Sequence, residues 1–218
     1  MLNWLARVCE AAYEVAHLSI SALGKMWYPV RKHNLLFEQL YEVGNRSLII
    51  VAVMGCFIGM VLALQSGYQL KRFNQQERIG LIGLAVVKEF GPVITAFLLA
   101  GRIGSAYAAE IGTMNVSEEI DALKVMGVDP VAYLASPRLL ACAVMVPLLT
   151  IYADFVAMLG GALVAETYVD VAPQTFFRVF FQYMSMEEVW RSMAKCFAFG
   201  CIISITGCYF GFNTEGGA

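Results

Sequence analysis

The segment SLIIVAVMGCFIGMVLALQSGYQL, residues 47–70, contains no charged side chain and is bracketed by Arg46 and Lys71. As an α-helix rising 1.5 Å per residue it would be about 36 Å long, which is enough to cross the hydrocarbon core of a bilayer with some tilt. Three further segments are almost as apolar: 79–106, 135–165 and 189–212. We therefore predict an all-α integral membrane protein with four visible transmembrane helices.

The composition of the whole chain agrees with this prediction. Of 218 residues, 59% are hydrophobic and 15% are charged, against roughly 45–50% and about 25% in soluble globular proteins. A soluble domain of this size has too little interior to bury so much apolar surface. The formal net charge of −2 gives no basic surface for nucleic acid, and the six cysteines and two histidines lack metal-site spacing. The composition excludes a disordered chain and a disulfide scaffold, and we expect neither a metal nor a nucleic-acid partner.

Residues 1–28 have the pattern of an amphipathic helix. Apolar side chains recur at alternating three- and four-residue steps within residues 2–27, and a polar stripe within residues 3–25 follows the same steps on the opposite face. Beside membrane spans, such a helix is expected to lie in the plane of the lipid headgroups. We expect Pro29 to end it, and the basic residues 31–33 that follow suit an anionic lipid surface.

Two connections between spans are predicted to contain short helices. Between spans two and three, Ser117 can cap a helix over residues 117–126, whose first turn is acidic and which Gly127 stops. This helix is too short to cross a bilayer, so it must lie flat or dock on another surface. Between spans three and four, Pro173 opens an aromatic-rich stretch, 173–183, that indicates a second interfacial helix.

The pair Lys88-Glu89 is the costly feature of the sequence, because it falls inside the second span. A charge at the bilayer centre costs about 2.5–3.5 kcal/mol on the insertion scale, so such residues are candidates for function. Neighbours on a helix do not face each other, and each charge therefore needs a separate partner or a wet cavity. Pro92 is expected to kink the helix nearby, and Asp154 in the third span to make an inter-helix hydrogen bond. Alternatively, the span starts at Phe90 and the pair lies at the membrane interface.

Small residues recur at every fourth position within the spans. Gly55-x-x-x-Gly59 and Gly207-x-x-x-Gly211 have the spacing that lets helix backbones approach closely in lipid, and a ridge within residues 96–112 continues it. We expect these ridges to be packing surfaces, within the chain or with a second copy.

The sequence contains no motif for hydrolysis. It has no Walker A lysine motif, no Gly-x-Ser-x-Gly and no His-Glu-x-x-His. No catalytic residue is predicted, and an energy source would have to come from a partner protein.

A block of motifs resembles the MlaE (YrbE) permease family. Its parts are Glu89-Phe-Gly-Pro-Val93, Ala100-Gly-Arg-Ile-Gly-Ser105, Ala109-Glu-Ile-Gly-Thr-Met114, Ser117-Glu-Glu-Ile-Asp-Ala-Leu123 and Met126-Gly-Val-Asp-Pro130. The resemblance covers about residues 35–218 and implies one membrane permease domain over the whole chain. It implies the permease subunit of an ABC transporter that moves phospholipids between the inner and outer membranes of Gram-negative bacteria, and hence a multi-pass protein of the bacterial inner membrane.

The resemblance also implies partners. Two copies of the permease associate, an MlaF-like cytoplasmic ATPase binds each, an MlaD-like ring of MCE domains sits in the periplasm, and an MlaB-like STAS protein rides on the ATPase. No cofactor is expected in this chain, since ATP and Mg are bound by the ATPase. The helix at 117–126 looks like the family's coupling helix, which places its loop in the cytoplasm and would present four residues to the ATPase: Glu118, Glu119, Asp121 and Leu123.

The lipid site is predicted from the same resemblance. Leu62, Leu70 and Phe73 lie late in or just past the first span, on the periplasmic side in the family's orientation, and would form an apolar wall for lipid tails. In the facing span a cationic Lys88 would meet the lipid phosphate. Glu89 would fix the kink or bridge to the other copy, because a carboxylate beside a phosphate repels it.

Two departures from the family and two alternative functions remain. The family often has Gln where Glu119 stands, and its members continue into a fifth span, so we expect the sequence to be truncated.

One alternative is an MCE-associated permease that imports another hydrophobic substrate, such as a steroid. The other is a non-transporting membrane scaffold, which would leave Lys88-Glu89 and the acidic short helix without a purpose. A secondary transporter would need coupling-ion residues and an internal repeat, which the sequence lacks.

Overall fold

A computed structural model describes residues 2–25, 28–29 and 33–214. All regular structure within these ranges is helical, which confirms the all-α prediction. Trp27 of the apolar stripe and Arg31 and Lys32 of the basic patch lie outside the described residues.

Within the described ranges, four helices are long and apolar enough to cross a membrane: His33–Arg72, Arg78–Val116, Val131–Val169 and Met186–Phe212. We refer to them as the first to fourth spans. Each contains a predicted span and extends beyond it. A charge-free stretch of sequence marks only the apolar part of a helix, and the backbone hydrogen bonds of the helix continue into the polar residues on either side. The first span has 40 residues, about 60 Å of helix. The prediction of four spans is confirmed.

The second span is irregular along its length. It begins as a 3₁₀ turn and alternates between α- and π-helix in the order Gln76–Gly80, Leu81–Ala85 (α), Val86–Phe90 (π), Gly91–Leu99 (α), Ala100–Gly104 (π) and Ser105–Val116 (α). In the first π segment, the Gly91 N–H bonds to the Val86 carbonyl, five residues back. Pro92 follows directly and has no N–H to continue the ladder. The irregularity expected at Pro92 therefore takes the form of a π segment that holds Lys88 and Glu89.

Two of the three shorter helices differ from their predicted bounds. The N-terminal helix is Leu2–Gly24 and thus ends before Pro29. The helix in the second loop is Glu119–Val125, which we call the loop helix. The helix after the third span is Pro173–Tyr183, which we call the aromatic helix.

The predicted cap of the loop helix is wrong. The Ser117 hydroxyl donates to the Thr113 carbonyl at 2.9 Å and so completes the preceding helix instead. Glu118 then adopts a left-handed conformation with φ of 59°, which delays the start of the loop helix to Glu119. At the other end, Gly127 adopts φ of 73° and ends the helix, as predicted.

The chain divides into two compact units. The first unit comprises Met1–Asn45, Leu99–Met145 and Ala198–Ala218, and the second comprises Arg46–Leu98 and Val146–Phe197.

The first unit has an apolar core at the loop helix. Ile111, Ile120, Leu134, Ala135 and Cys208 are buried together there. The ridge Gly207-x-x-x-Gly211 packs against the second span, since a Cβ on Gly207 would lie 2.9 Å from the Gly104 carbonyl oxygen.

The second unit packs the first span tightly against the third. A Cβ on Gly55 would lie 2.9 Å from the Ala153 carbonyl oxygen, and one on Gly59 would overlap the Ala157 carbonyl. Gly160 of the third span approaches the first span equally closely, because a Cβ on Gly160 would lie 2.7 Å from the Cys56 carbonyl oxygen. The ridge Gly55-x-x-x-Gly59 is therefore used within the chain.

The aromatic helix also belongs to the second unit. Its Phe176 is buried with Ile79, Ala165 and Val169. Gly80 permits this contact, because a Cβ there would overlap the Phe176 carbonyl. The helix is thus held against the start of the second span.

Candidate functional site

Lys88 and Glu89 both pair with the fourth span. Lys88 Nζ lies 2.8 Å from Glu188 Oε1, and Lys195 Nζ lies 2.7 Å from Glu89 Oε1. The sequence-based expectation that each of the two charges needs its own partner is confirmed. The four side chains remain partly exposed in the chain.

Lys195 has a second contact that depends on Pro92. The carbonyl of Lys88, four residues before Pro92, lacks the proline N–H that a regular helix would supply. The Lys195 ammonium donates to this carbonyl at 3.1 Å. One lysine of the fourth span therefore holds both the Glu89 carboxylate and a carbonyl of the π segment.

Glu188 and Lys195 were missed by sequence reasoning. The fourth span was recognised by its charge-free stretch and was predicted to begin near residue 189, whereas the helix begins at Met186. A signal was present, because residues seven apart lie on one helix face. A Glu and a Lys at this spacing match the adjacent Lys and Glu of the second span in charge.

The predicted apolar wall for lipid tails has mixed surroundings. Leu62 is half-buried, and Leu70 packs against the cluster of Ile79 and Phe176. Phe73 follows the end of the first span and is 76% exposed. Of the three, Phe73 is the side chain most open to a ligand, and Leu70 packs within the chain.

Asp154 lies beside Gly91 in the second unit and is only 7% exposed. An added Cβ on Gly91 would overlap its Oδ1. That oxygen has no hydrogen-bond partner among the residues that the structure describes, so the expected inter-helix hydrogen bond is not made there.

The loop helix presents acidic side chains outward. Glu118, Glu119 and Asp121 are exposed, and Asp121 pairs with Lys124 at 2.8 Å. A groove of about 820 Å³ runs beside them and is lined by Glu14, Glu118 and Asp121 among others. This side of the loop is therefore an open, acidic surface.

Leu123 points differently from these acids. It is half-buried and packs against the core around Ile111 and Ile120. The apolar side chains that the loop exposes are Val125, at 88%, and Met126, at 68%. The resemblance to the family's coupling helix implied that Leu123 is presented with the acids, and a resemblance in sequence does not show which face the chain itself covers.

The N-terminal helix is tied to the same loop. Lys25 forms an ion pair with Asp129, and this hydrogen bond is the main reason that the pKa of Asp129 lies below its usual value. The Ser136 hydroxyl donates to the Ala22 carbonyl at 3.1 Å. Along the predicted apolar stripe, Ile20 remains 71% exposed and Leu23 is exposed as well. The helix thus docks through Leu18 and the buried Ala22 as well as through Lys25, and it leaves Ile20 and Leu23 of the predicted stripe exposed.

A buried arginine joins the second and third spans within the first unit. Arg138 lies with one guanidinium nitrogen 2.7 Å from Glu110 Oε2, and its guanidinium stacks 5.1 Å from the Tyr107 ring centre. Stacking and ion pairing offset part of the cost of burying this charge, while the Arg138 Nη1 atom has no hydrogen-bond partner among the described residues.

The known proteins most informative for this chain are membrane transport proteins. The family model for the permease MlaE matches residues 36–218. The chain belongs to the MlaE permease family. It is therefore a multi-pass membrane protein and the permease subunit of an ABC transporter, which implies an ATPase partner.

Bacterial relatives are named as probable ABC transporter permeases, and a plant protein is similar to the chain as well. A probable ABC transporter permease protein of Synechocystis is 38% identical over 99% of this chain and 81% of its own length. A probable ABC transporter permease protein of Rickettsia bellii is 35% identical over 97% of this chain and 82% of its own. The chloroplast protein TRIGALACTOSYLDIACYLGLYCEROL 1 of Arabidopsis thaliana is 36% identical over 83% of this chain and 52% of its own.

Proposed function

We propose that this permease moves phospholipids between the inner and outer membranes of a Gram-negative bacterium. The observation that carries the proposal is the double ion pair Lys88–Glu188 and Glu89–Lys195, which brings two cations and two anions together between the second and fourth spans. A phospholipid headgroup needs a cationic donor for its phosphate beside apolar surface for its tails. The Arabidopsis relative is named after a diacylglycerol glycolipid, which supports a lipid substrate class.

In this proposal a lipid phosphate takes the place of Glu188 at Lys88. The exchange replaces one charge-assisted hydrogen bond with another, so the ammonium is never left without an anion. Glu89 stays with Lys195 and holds the π segment in place. Phe73 and Leu62 offer apolar contacts to the tails, and Leu70 supports them from within.

The other subunits follow the family's architecture in the same proposal. Two copies of the permease assemble with MlaF-like ATPases, which bind ATP and Mg, and with an MlaB-like STAS protein in the cytoplasm. An MlaD-like MCE ring covers the periplasmic side. The acidic loop helix contacts the ATPase through Glu118, Glu119 and Asp121, and the permease resides in the inner membrane.

The test replaces Lys88 and identifies the lipid that copurifies with the assembled transporter by mass spectrometry. Lys88→Ala should lower phospholipid occupancy and weaken the outer-membrane barrier in cells, whereas Lys88→Arg keeps the charge and should preserve both. Lys71→Ala is the matched control, because Lys71 forms an exposed ion pair with Asp170 at 3.1 Å at the end of the first span.

Two results would contradict the proposal. Normal phospholipid occupancy in Lys88→Ala, with the protein at normal levels, would make the charge structural. A bound steroid or other phosphate-free lipid in the unsubstituted transporter would favour the alternative substrate class.

A further inference from the structure

The Asp154 carboxyl is a buried polar group without a described partner. The residue is only 7% exposed. Its Oδ1 accepts no hydrogen bond from the described residues. None of the ion pairs among those residues involves it. An unpaired polar group in an apolar interior is costly, and most such groups in proteins are paired with protein or ordered water.

A small cavity adjoins this carboxyl. It has a volume of about 20 Å³ and lies between the first, second and third spans within the second unit. Asp154 and Thr95 are the polar residues that line it, and its other lining residues are apolar or glycine. About 10–15 Å³ suffices for one water molecule, which also needs at least two polar partners.

The backbone around the cavity is shaped to admit the carboxyl. Gly91 lines the cavity, and any side chain there would overlap Asp154 Oδ1. Gly91 is also the first residue after the π segment Val86–Phe90. The absence of a Cβ at this position therefore lets the third span place a polar group against the second span at its irregular turn.

We propose that this cavity binds a single water molecule, held by Asp154 and Thr95. The water donates a hydrogen bond to Asp154 Oδ1 and accepts or donates at the Thr95 hydroxyl. Asp154 is thus a positioning residue: through the bound water it links the third span to the turn that follows Lys88 and Glu89. The site does not depend on which substrate the transporter carries.

A cryo-EM map of the assembled transporter, at a resolution that reveals ordered water elsewhere, tests the proposal directly. The expected result is a density peak in the cavity at hydrogen-bond distance, about 2.7–3.2 Å, from Asp154 and Thr95. Asp154→Asn keeps an oxygen acceptor of the same shape and should keep the peak. Asp154→Leu removes the acceptor, fills the cavity with apolar atoms and should abolish it.

An empty cavity in the unsubstituted protein overturns the proposal, as does a water peak that persists in Asp154→Leu. If Asp154→Leu does not assemble, the unsubstituted and Asp154→Asn maps still decide the question. Phe155→Leu is the matched control, because Phe155 is the exposed neighbour of Asp154 on the same helix and should leave the peak unchanged.

Discussion

Single residues in this permease act through the space and charge around them. Gly91 is a clear case, because its missing side chain is what admits the Asp154 carboxyl. Asp129 is another, because its partner Lys25 directly follows the N-terminal helix, 104 positions earlier in the chain.

At Gly91, substitution by alanine should destabilise the protein. The added Cβ overlaps Asp154 Oδ1, and overpacking of this kind costs about 1–3 kcal/mol, which thermal unfolding in detergent would reveal as a lower Tm. Asp154→Ala in the same chain removes the atom that the Cβ strikes and should recover part of the loss. Gly101→Ala is the control, since an added Cβ there has no neighbour within 4 Å. Equal effects at Gly91 and Gly101 would refute the packing argument.

The contact between Lys25 and Asp129 should depend on pH. Hydrogen bonding by Lys25 lowers the folded-state pKa of Asp129, so the stability it contributes is present above the usual carboxyl pKa and is lost as the pH falls through the lowered value. The pair is partly exposed, and such pairs contribute about 0.2–1 kcal/mol. After correction for the pH dependence of intrinsic exchange, the protection of the amides in residues 18–25 against hydrogen exchange should therefore fall on acidification.

Asp129→Asn isolates the charge in that experiment. It keeps an oxygen that can accept from the Val131 N–H, a bond of 3.0 Å in the structure, but it loses the ion pair. Protection of these amides in this variant should be lower at neutral pH and change less on acidification than in the unsubstituted chain. An unchanged pH profile would mean that the ion pair does not hold the N-terminal helix.

At the scale of whole helices, tertiary packing determines which face of each helix is buried and which is exposed. In the loop helix, Ile120 is buried, Leu123 is half-buried and Val125 is exposed. Its acidic face and its exposed apolar end are therefore separable by substitution.

Val125→Asp should strip the ATPase from the permease without unfolding it. An exposed valine contributes little to the permease core, whereas a charge in an apolar contact with a partner is costly. Copurification of the ATPase with the detergent-solubilised permease measures the effect. Leu123→Asp should instead lower the Tm of the permease itself, because Leu123 packs in the core. If as much ATPase copurifies with Val125→Asp as with the unsubstituted permease, the loop helix is not the docking element.

At the scale of the whole molecule, the remaining question is which surfaces meet another chain. The ridge Gly55-x-x-x-Gly59 is occupied by the third span of the same chain. On the second span, Gly101, Ser105 and Ala109 remain exposed, and small residues favour close helix contact in lipid. A contact between two copies is therefore expected at the second span.

The assembled transporter should contain two permease copies. Native mass spectrometry of the intact complex with its ATPase measures the number, and Gly101→Leu should weaken the pairing by keeping the helix backbones apart. Phe155→Leu, a change at an exposed position on the third span, serves as the control. A single permease copy in an ATPase-bound complex would exclude the homodimer.

The sequence alone determined the number of spans, the amphipathic N-terminal helix and the family. These features depend on local composition and periodicity, since about 20 apolar residues cross a bilayer whatever surrounds them. The need of Lys88 and Glu89 for separate partners could also be predicted, because the angle between neighbours on a helix is a local property.

Only the tertiary structure decided which groups those partners are. Lys195 meets the Lys88 carbonyl across 107 positions of sequence, and Asp154 meets Gly91 because two spans approach there. Such contacts depend on which helix faces are apposed, and a π segment shifts that facing by one residue within a span. For the same reason, the sequence could not show that Leu123 packs against the core of its own chain or that Gly55 and Gly59 contact the third span of the same chain. A pattern of residue types specifies a helix face, but tertiary packing decides what covers that face.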